Sequence, residues 1–89
     1  MDFEWDPKKA RGNLAKHGVS FEDATQVFED PSLLEVFDDS EDEEGFVAIG
    51  LVGLVVHVVV YAERGNHIRI ISARRATKRE KEVYFRHPD

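Results

Sequence analysis

The stretch with the greatest chemical capacity is Ser72-Ala73-Arg74-Arg75-Ala76-Thr77-Lys78-Arg79-Glu80, which sets four cations and one carboxylate within nine residues. Its spacing reads as a strand entering a helix. Such a junction gathers guanidinium and ammonium groups beside the free N–H groups of a helix start, an arrangement suited to phosphate. Arg69 and Tyr61 are expected to add a guanidinium and an aromatic ring on an open sheet face, able to hold a backbone phosphate and to stack a base. Cleavage of an RNA phosphodiester needs a base for the 2′-hydroxyl, a donor for the leaving oxygen and positive charge for the phosphorane. Lys, Arg, Glu, Tyr and His can supply all three without a metal.

Plainer readings stand beside these. Glu80 also fits as the reciprocal member of a capping box with Thr77 and as a partner for Arg74 or Arg75. Tyr84 fits a core-edge ring, because it follows Ala76 and Glu80 at helical spacing. His17 precedes a helix-ending Gly18 and can complement the helix C-terminus. His57 and His67 read as ordinary strand or turn residues, and Lys8, Lys9, Arg11 and Lys16 as a solvated helix face.

The chain has 89 residues and a formal charge of −6, which fits a single domain over residues 1–89 around one core. The average hides a division: residues 1–20 carry +1, residues 21–45 carry −11 with no base, and residues 46–89 carry +4. An acidic protein is ordinarily a poor partner for nucleic acid. Here the bases of the second half all lie between Arg64 and Arg86, so a cationic face on an acidic body is expected. There is no cysteine, and His17, His57, His67 and His87 lack metal-site spacing. No cofactor motif is present, and no apolar run approaches the ~20 residues needed to span a bilayer. Acids at Asp2, Glu4 and Asp6 sit where a secretory signal needs bases, so a cytoplasmic, membrane-free protein is expected.

The elements that must position these groups follow from local signals. Asp6-Pro7 starts and Gly18 stops a helix over about 7–17. Ser20 and Asp23 start a second, with Phe21, Ala24, Val27 and Phe28 on one face, ended by Asp30-Pro31. Strands are expected at Leu33 to Phe37, Gly45 to Val52, Leu54 to Ala62 and His67 to Ala73, with Asp38 to Glu44 a solvated loop and Arg64-Gly65-Asn66 a three-residue hairpin loop. In that register Tyr61 faces Arg69 and Val60 faces Ile70. Val56, Val58, Val60, Ile68 and Ile70 then share one face, and His57, Tyr61 and Arg69 the other. Thr77 and Glu80 cap a final helix over about 77–86. The fold class is α+β: two short helices packed on an antiparallel meander of about four strands, with a C-terminal helix.

Phe3-Glu4-Trp5-Asp6, Lys9, Asn13, Lys16-His17-Gly18-Val19-Ser20-Phe21 and Asp30-Pro31, followed by Arg69-Ile70-Ile71-Ser72-Ala73-Arg74-Arg75-Ala76-Thr77, Glu80 and Tyr84, resemble the signature of the BrnT toxins. The resemblance covers nearly the whole chain. It implies a RelE-like fold and metal-independent ribonuclease activity that blocks translation. It also implies a BrnA-type antitoxin with a ribbon-helix-helix DNA-binding region, and a joint complex that represses its own operon, reaching operator DNA only through the antitoxin. The matching polar positions are Lys9, His17, Arg64, Arg69, Arg74, Arg75, Glu80 and Tyr84. By their chemistry, Arg69, Arg74 and Arg75 would hold phosphate or stabilise the phosphorane, and Glu80 or His17 would act as base. Tyr84 or an arginine would support the leaving group, while Lys9, Tyr61, Arg64 and Arg75 would bind RNA. A homodimer within the complex is a further expectation. The acidic loop and the short last helix, closed by His87-Pro88-Asp89, depart from the pattern. A non-catalytic protein that binds an antitoxin and modulates its DNA binding is the alternative from a different class, and a direct DNA binder a third.

Overall fold

In a computed structural model, which describes residues 1–38 and 45–87, the N-terminal signals act as their chemistry dictates. The residues of β1 (Asp2–Glu4) lead directly to Asp6, whose side chain accepts from the Lys8 N–H at the start of α1 (Pro7–His17). Gly18, at φ 71°, ends that helix. Ser20 caps α2 (Phe21–Ala24), which tightens at once into a 3₁₀ segment, Thr25–Glu29, in place of the longer α-helix expected there. Gly50 explains why this segment can sit so low on the sheet. A Cβ there would stand 3.1 Å from the Val27 carbonyl oxygen and 3.3 Å from the Asp30 carboxylate.

The strands are β2 (Leu34–Asp38), β3 (Gly45–Val52), β4 (Val55–Arg64) and β5 (His67–Arg75), followed by α3 (Lys78–Arg86). The sheet order is β1-β5-β4-β3-β2, with β1 parallel to β5 and the other pairs antiparallel. The sheet is therefore mixed and five-stranded, because Asp2–Glu4 joins it, where an antiparallel meander of about four strands was expected. The acidic run 39–44 and Pro88 lie outside the described residues.

The β4–β5 register corrects the sequence reading twice. Arg64 pairs with His67 around a two-residue turn, Gly65-Asn66, with Gly65 at φ 60°, so the loop is one residue shorter than expected. Tyr61 then pairs with Ile70, but Val60 pairs with Ser72, leaving Ile71 as an extra residue on β5. The shorter turn takes Ile68 and Ile70 off the face of Val56 and Val58 and Tyr61 off the face of Arg69, and the β-bulge beyond it brings Ser72 and Arg74 onto the face of Arg69.

Two cores result, one on each face. Against α1 and α2 pack Val19, Phe21, Ala24, Val27, Ala48, Val59, Tyr61, Ile70 and Ala73, with Phe3, Trp5 and Phe28 partly buried beside them. Against α3 pack Ile49, Val56, Val58 and Tyr84. The rest of this second face, from Val36 on β2 to Arg69 on β5, has no helix over it among the described residues.

The buried Asn13 ties α1 to the sheet. Its Nδ2 donates to the carbonyls of Val19 (3.0 Å) and Ala73 (2.8 Å), and its Oδ1 accepts from the Ala73 N–H at 3.1 Å. Two of the three bonds need a donor, so Asn13→Asp should destabilise the chain about as much as Asn13→Ala, by about 3 kcal/mol in each case. Urea unfolding midpoints of the two variants check this; an Asp variant near wild type would contradict it.

Candidate functional site

The site begins where β5 runs into α3. Thr77 caps the helix: its Oγ1 accepts from the Glu80 N–H at 3.2 Å, and Glu80 Oε1 accepts from the Thr77 N–H at 2.8 Å, closing a capping box. The same carboxylate receives both terminal nitrogens of Arg74, Nη1 to Oε1 at 2.7 Å and Nη2 to Oε2 at 2.8 Å. One acid therefore starts the helix and fixes a guanidinium. The Arg74 hydrogen bonds, opposed by partial burial, hold the Glu80 carboxyl at about 2, and the same contact raises Arg74 further above its already high value.

A second pair lies farther back along β5. Glu4, in register with Arg69 across the parallel β1–β5 ladder, accepts from Arg69 Nη1 at 2.6 Å. The Arg69 and Arg74 side chains stay 33% and 40% exposed, so each keeps donors open to solvent after its carboxylate contact. Because Ala62, Val60 and Val58 alternate regularly along β4, their partners Arg69, Ser72 and Arg74 stand on one face. It is the face without a helix over Arg69. Planar, permanently charged guanidiniums held on a surface in this way can bind phosphate oxygens bidentately and stabilise added negative charge at phosphorus.

A family model for the ribonuclease toxin BrnT of type II toxin–antitoxin systems matches residues 5–80. The chain belongs to the BrnT family. Membership makes it a ribonuclease toxin of a type II system and implies an antitoxin partner. A comparison with individually curated proteins returns no match. The span holds Arg69, Arg74 and Glu80, while Glu4 and Tyr84 fall just outside it. Among the described residues, no helix is long and apolar enough to cross a membrane.

The remaining candidates are dispersed. Tyr84 belongs to the core under α3, 4% exposed, and its hydroxyl donates to Asp30. Asp30 also accepts from the N–H groups of Ser32 (2.8 Å) and Leu51 (2.9 Å), so it ties the end of the 3₁₀ segment to β3 and α3. Burial raises the Asp30 carboxyl, but the bonds from Tyr84, Ser32 and Leu51 together leave it below its ordinary value. Tyr61 corrects the sequence reading outright: it is 1% exposed in the core beneath Phe28 and Phe46, and its hydroxyl donates to Glu35. Burial first, and Glu35 second, push its hydroxyl far up. The ring has no free face on which a base could stack.

Lys9 and His17 lie on α1, across the sheet from the Arg74–Glu80 pair, so the fold does not bring His17 to Glu80. Arg64 ends β4 on the same face as Arg69, whereas Arg75 ends β5 opposite His57 on the α1 side. Both are exposed. Sequence reasoning missed Glu4 and Asp30 as functional supports. The signal for Glu4 was the alternation Asp2-Phe3-Glu4, which marks a short strand with one apolar face.

These shifts fix the acid behaviour. Glu80 and Asp30 have depressed carboxyls, so their stabilisation is fully present above the unfolded values and is lost as pH falls through the folded ones. Stability should therefore decline from about pH 4.5, with the Glu80 contribution vanishing only near pH 2. Glu80→Gln should flatten that decline without altering the plateau slope above pH 5; urea titrations between pH 2 and 7 measure it, and an unchanged acid limb would refute the assignment.

Proposed function

We propose that this chain is a metal-independent endoribonuclease that blocks translation, with a RelE-like architecture and with Arg69 and Arg74, but not Arg75 on the opposite face, supplying the charge that cleavage requires. The observation that carries this reading is the pair of guanidiniums on the sheet face that α3 covers only in part, each fixed by a carboxylate and each still open to solvent, in a member of a ribonuclease toxin family. In the reaction, the 2′-oxygen attacks the adjacent phosphorus, its proton passes to a base, and the P–O5′ bond breaks as the 5′-oxygen takes up a proton. The arginines stabilise the negative charge that accumulates on the non-bridging oxygens. They do so without moving a proton, since a guanidinium stays charged in a protein.

Glu80 takes a different role from general base. A carboxylate held at about 2, with both oxygens occupied, is a poor proton acceptor at neutral pH. It serves Arg74 as a positioning residue. Tyr84, with its hydroxyl on Asp30, supports the α3 core beneath the site. Arg64, on the face of Arg69, extends the positive charge available to a longer RNA, whereas Lys9 and His17, on α1 across the sheet, take no part at the phosphate held by Arg74.

The partner follows from the same reading: a BrnA-like antitoxin whose ribbon-helix-helix region binds operator DNA, with the toxin joining it as co-repressor in the cytoplasm. Residues 21–45, at −11, are complementary in charge to a basic segment of that antitoxin. The isolated toxin should then show no salt-dependent operator binding, and the complex should.

Cleavage of single-stranded RNA by the purified chain in EDTA tests the enzyme directly. Arg74→Ala should lower the rate by about 10²-fold or more, as loss of one preorganised charge contact does. Melting should shift by only a few degrees, about 2–8 °C. His17→Ala should leave the rate unchanged, because α1 lies across the sheet from Arg74. Intact RNA, free or ribosome-bound, together with tight antitoxin binding would instead establish the non-catalytic interaction protein.

A further inference from the structure

Arg69 and Arg74 are five residues apart, an odd spacing that in a regular strand sends side chains to opposite faces. The extra residue at Ile71 restores them to one face, because β5 uses Arg69, Ser72 and Arg74 opposite Ala62, Val60 and Val58 of β4. Bulges commonly occur where a side chain must be re-aimed near a functional site. The two partners, Val58 and Ala62, are four residue steps apart on β4, so the arginine Cα atoms lie about 13 Å apart along the strand at ~3.3 Å per residue. Their guanidiniums are also held by carboxylates from different elements, Glu4 on β1 and Glu80 in α3. Anchored on different elements, the two guanidiniums are set to take separate phosphates.

We infer that Arg69, Ser72 and Arg74 form a linear track in which the two arginines contact different phosphates of one single strand, with Glu4 as the positioning residue for Arg69. This deepens the ribonuclease reading above and rests on it for the identity of the polyanion as RNA. Arg74, beside the helix start and the cations of 74–79, takes the phosphate nearer the strand–helix junction. Arg69 takes a phosphate farther along the same strand, and Ser72 offers a hydroxyl between them. Glu4 opposes phosphate as a charge but orients the guanidinium that binds it. Those two effects have opposite signs, which makes its role measurable.

The experiment is binding of a fluorescent, uncleavable 2′-O-methyl oligoribonucleotide to the full-length chain as a function of salt, with thermal melting of every variant. Each phosphate contact to a single strand contributes about 0.7 to the slope of log affinity against log salt. Arg69→Ala and Arg74→Ala should each reduce the slope by about 0.7, and the double variant by about 1.4. Glu4→Ala should weaken binding several-fold although it removes a negative charge, and Glu4→Gln, which keeps an acceptor for Arg69, should restore it. A double variant no worse than either single one would place both arginines on one phosphate and overturn the track. Tighter binding by Glu4→Ala would overturn the positioning role, and absence of salt-dependent binding by the wild type would overturn both. If the slopes behave as expected while natural RNA stays intact, the ribonuclease reading fails and the track stands.

Discussion

The arrangement rests on how the outer edge of β5 is satisfied. β1 covers that edge only from His67 to Arg69. Beyond it, Ala73 has both a donor and an acceptor turned away from β4, and a buried pair left unmade would cost about 1–3 kcal/mol for each group. Asn13 supplies both partners from one side-chain amide, so a helix residue acts as a short substitute strand. The contact fixes more than stability. It holds α1 over the sheet, reaches Val19 to set the entry to α2, and carries β5 far enough for Arg74 to meet α3.

Within β5, the phase of the strand decides which residues meet solvent. An alternating pattern read at constant register puts Tyr61 beside Arg69, because each is odd-numbered and the run between them looks regular. A turn one residue shorter inverts that result, and the unpaired Ile71 then brings Ser72 and Arg74 onto the side of Arg69. Tyr61 goes to the core with Ile70, and Arg69 goes to the uncovered face with Ser72 and Arg74. Neither the bulge nor the loop length is visible in local composition: Ile71 is as good a strand residue as its neighbours, and Arg64-Gly65-Asn66 suits a loop of either length. Register is a property of two strands together, so a reading of one chain segment at a time has no access to it.

What was legible was the chemistry of ends. Asp6-Pro7, Gly18, Ser20 with Asp23, and Thr77 with Glu80 each stand where the backbone needs a cap, and the helices begin or end there. The Arg74–Glu80 pair was readable for the same reason, since both partners lie within one strand–helix turn. Glu4–Arg69 and Tyr84–Asp30 were not readable, being separated by 65 and 54 residues. The 3₁₀ segment Thr25–Glu29 also escaped, because its apolar residues fit an α-helix equally well. The close approach of Val27 and Asp30 to the sheet depends on a distant glycine, Gly50, which the local sequence does not show.

The charge of −6 can be reconciled with a phosphate-binding site through the carboxylates themselves. An arginine free on a flexible stem attracts phosphate from every direction, and it must lose that freedom on binding. Arg69 and Arg74 have already lost it to Glu4 and Glu80. Each acid lowers the net attraction for any polyanion, yet leaves the remaining guanidinium donors aimed in one direction. On the proposed reading, such a surface would be weaker toward phosphate in general and more demanding about where the phosphates stand.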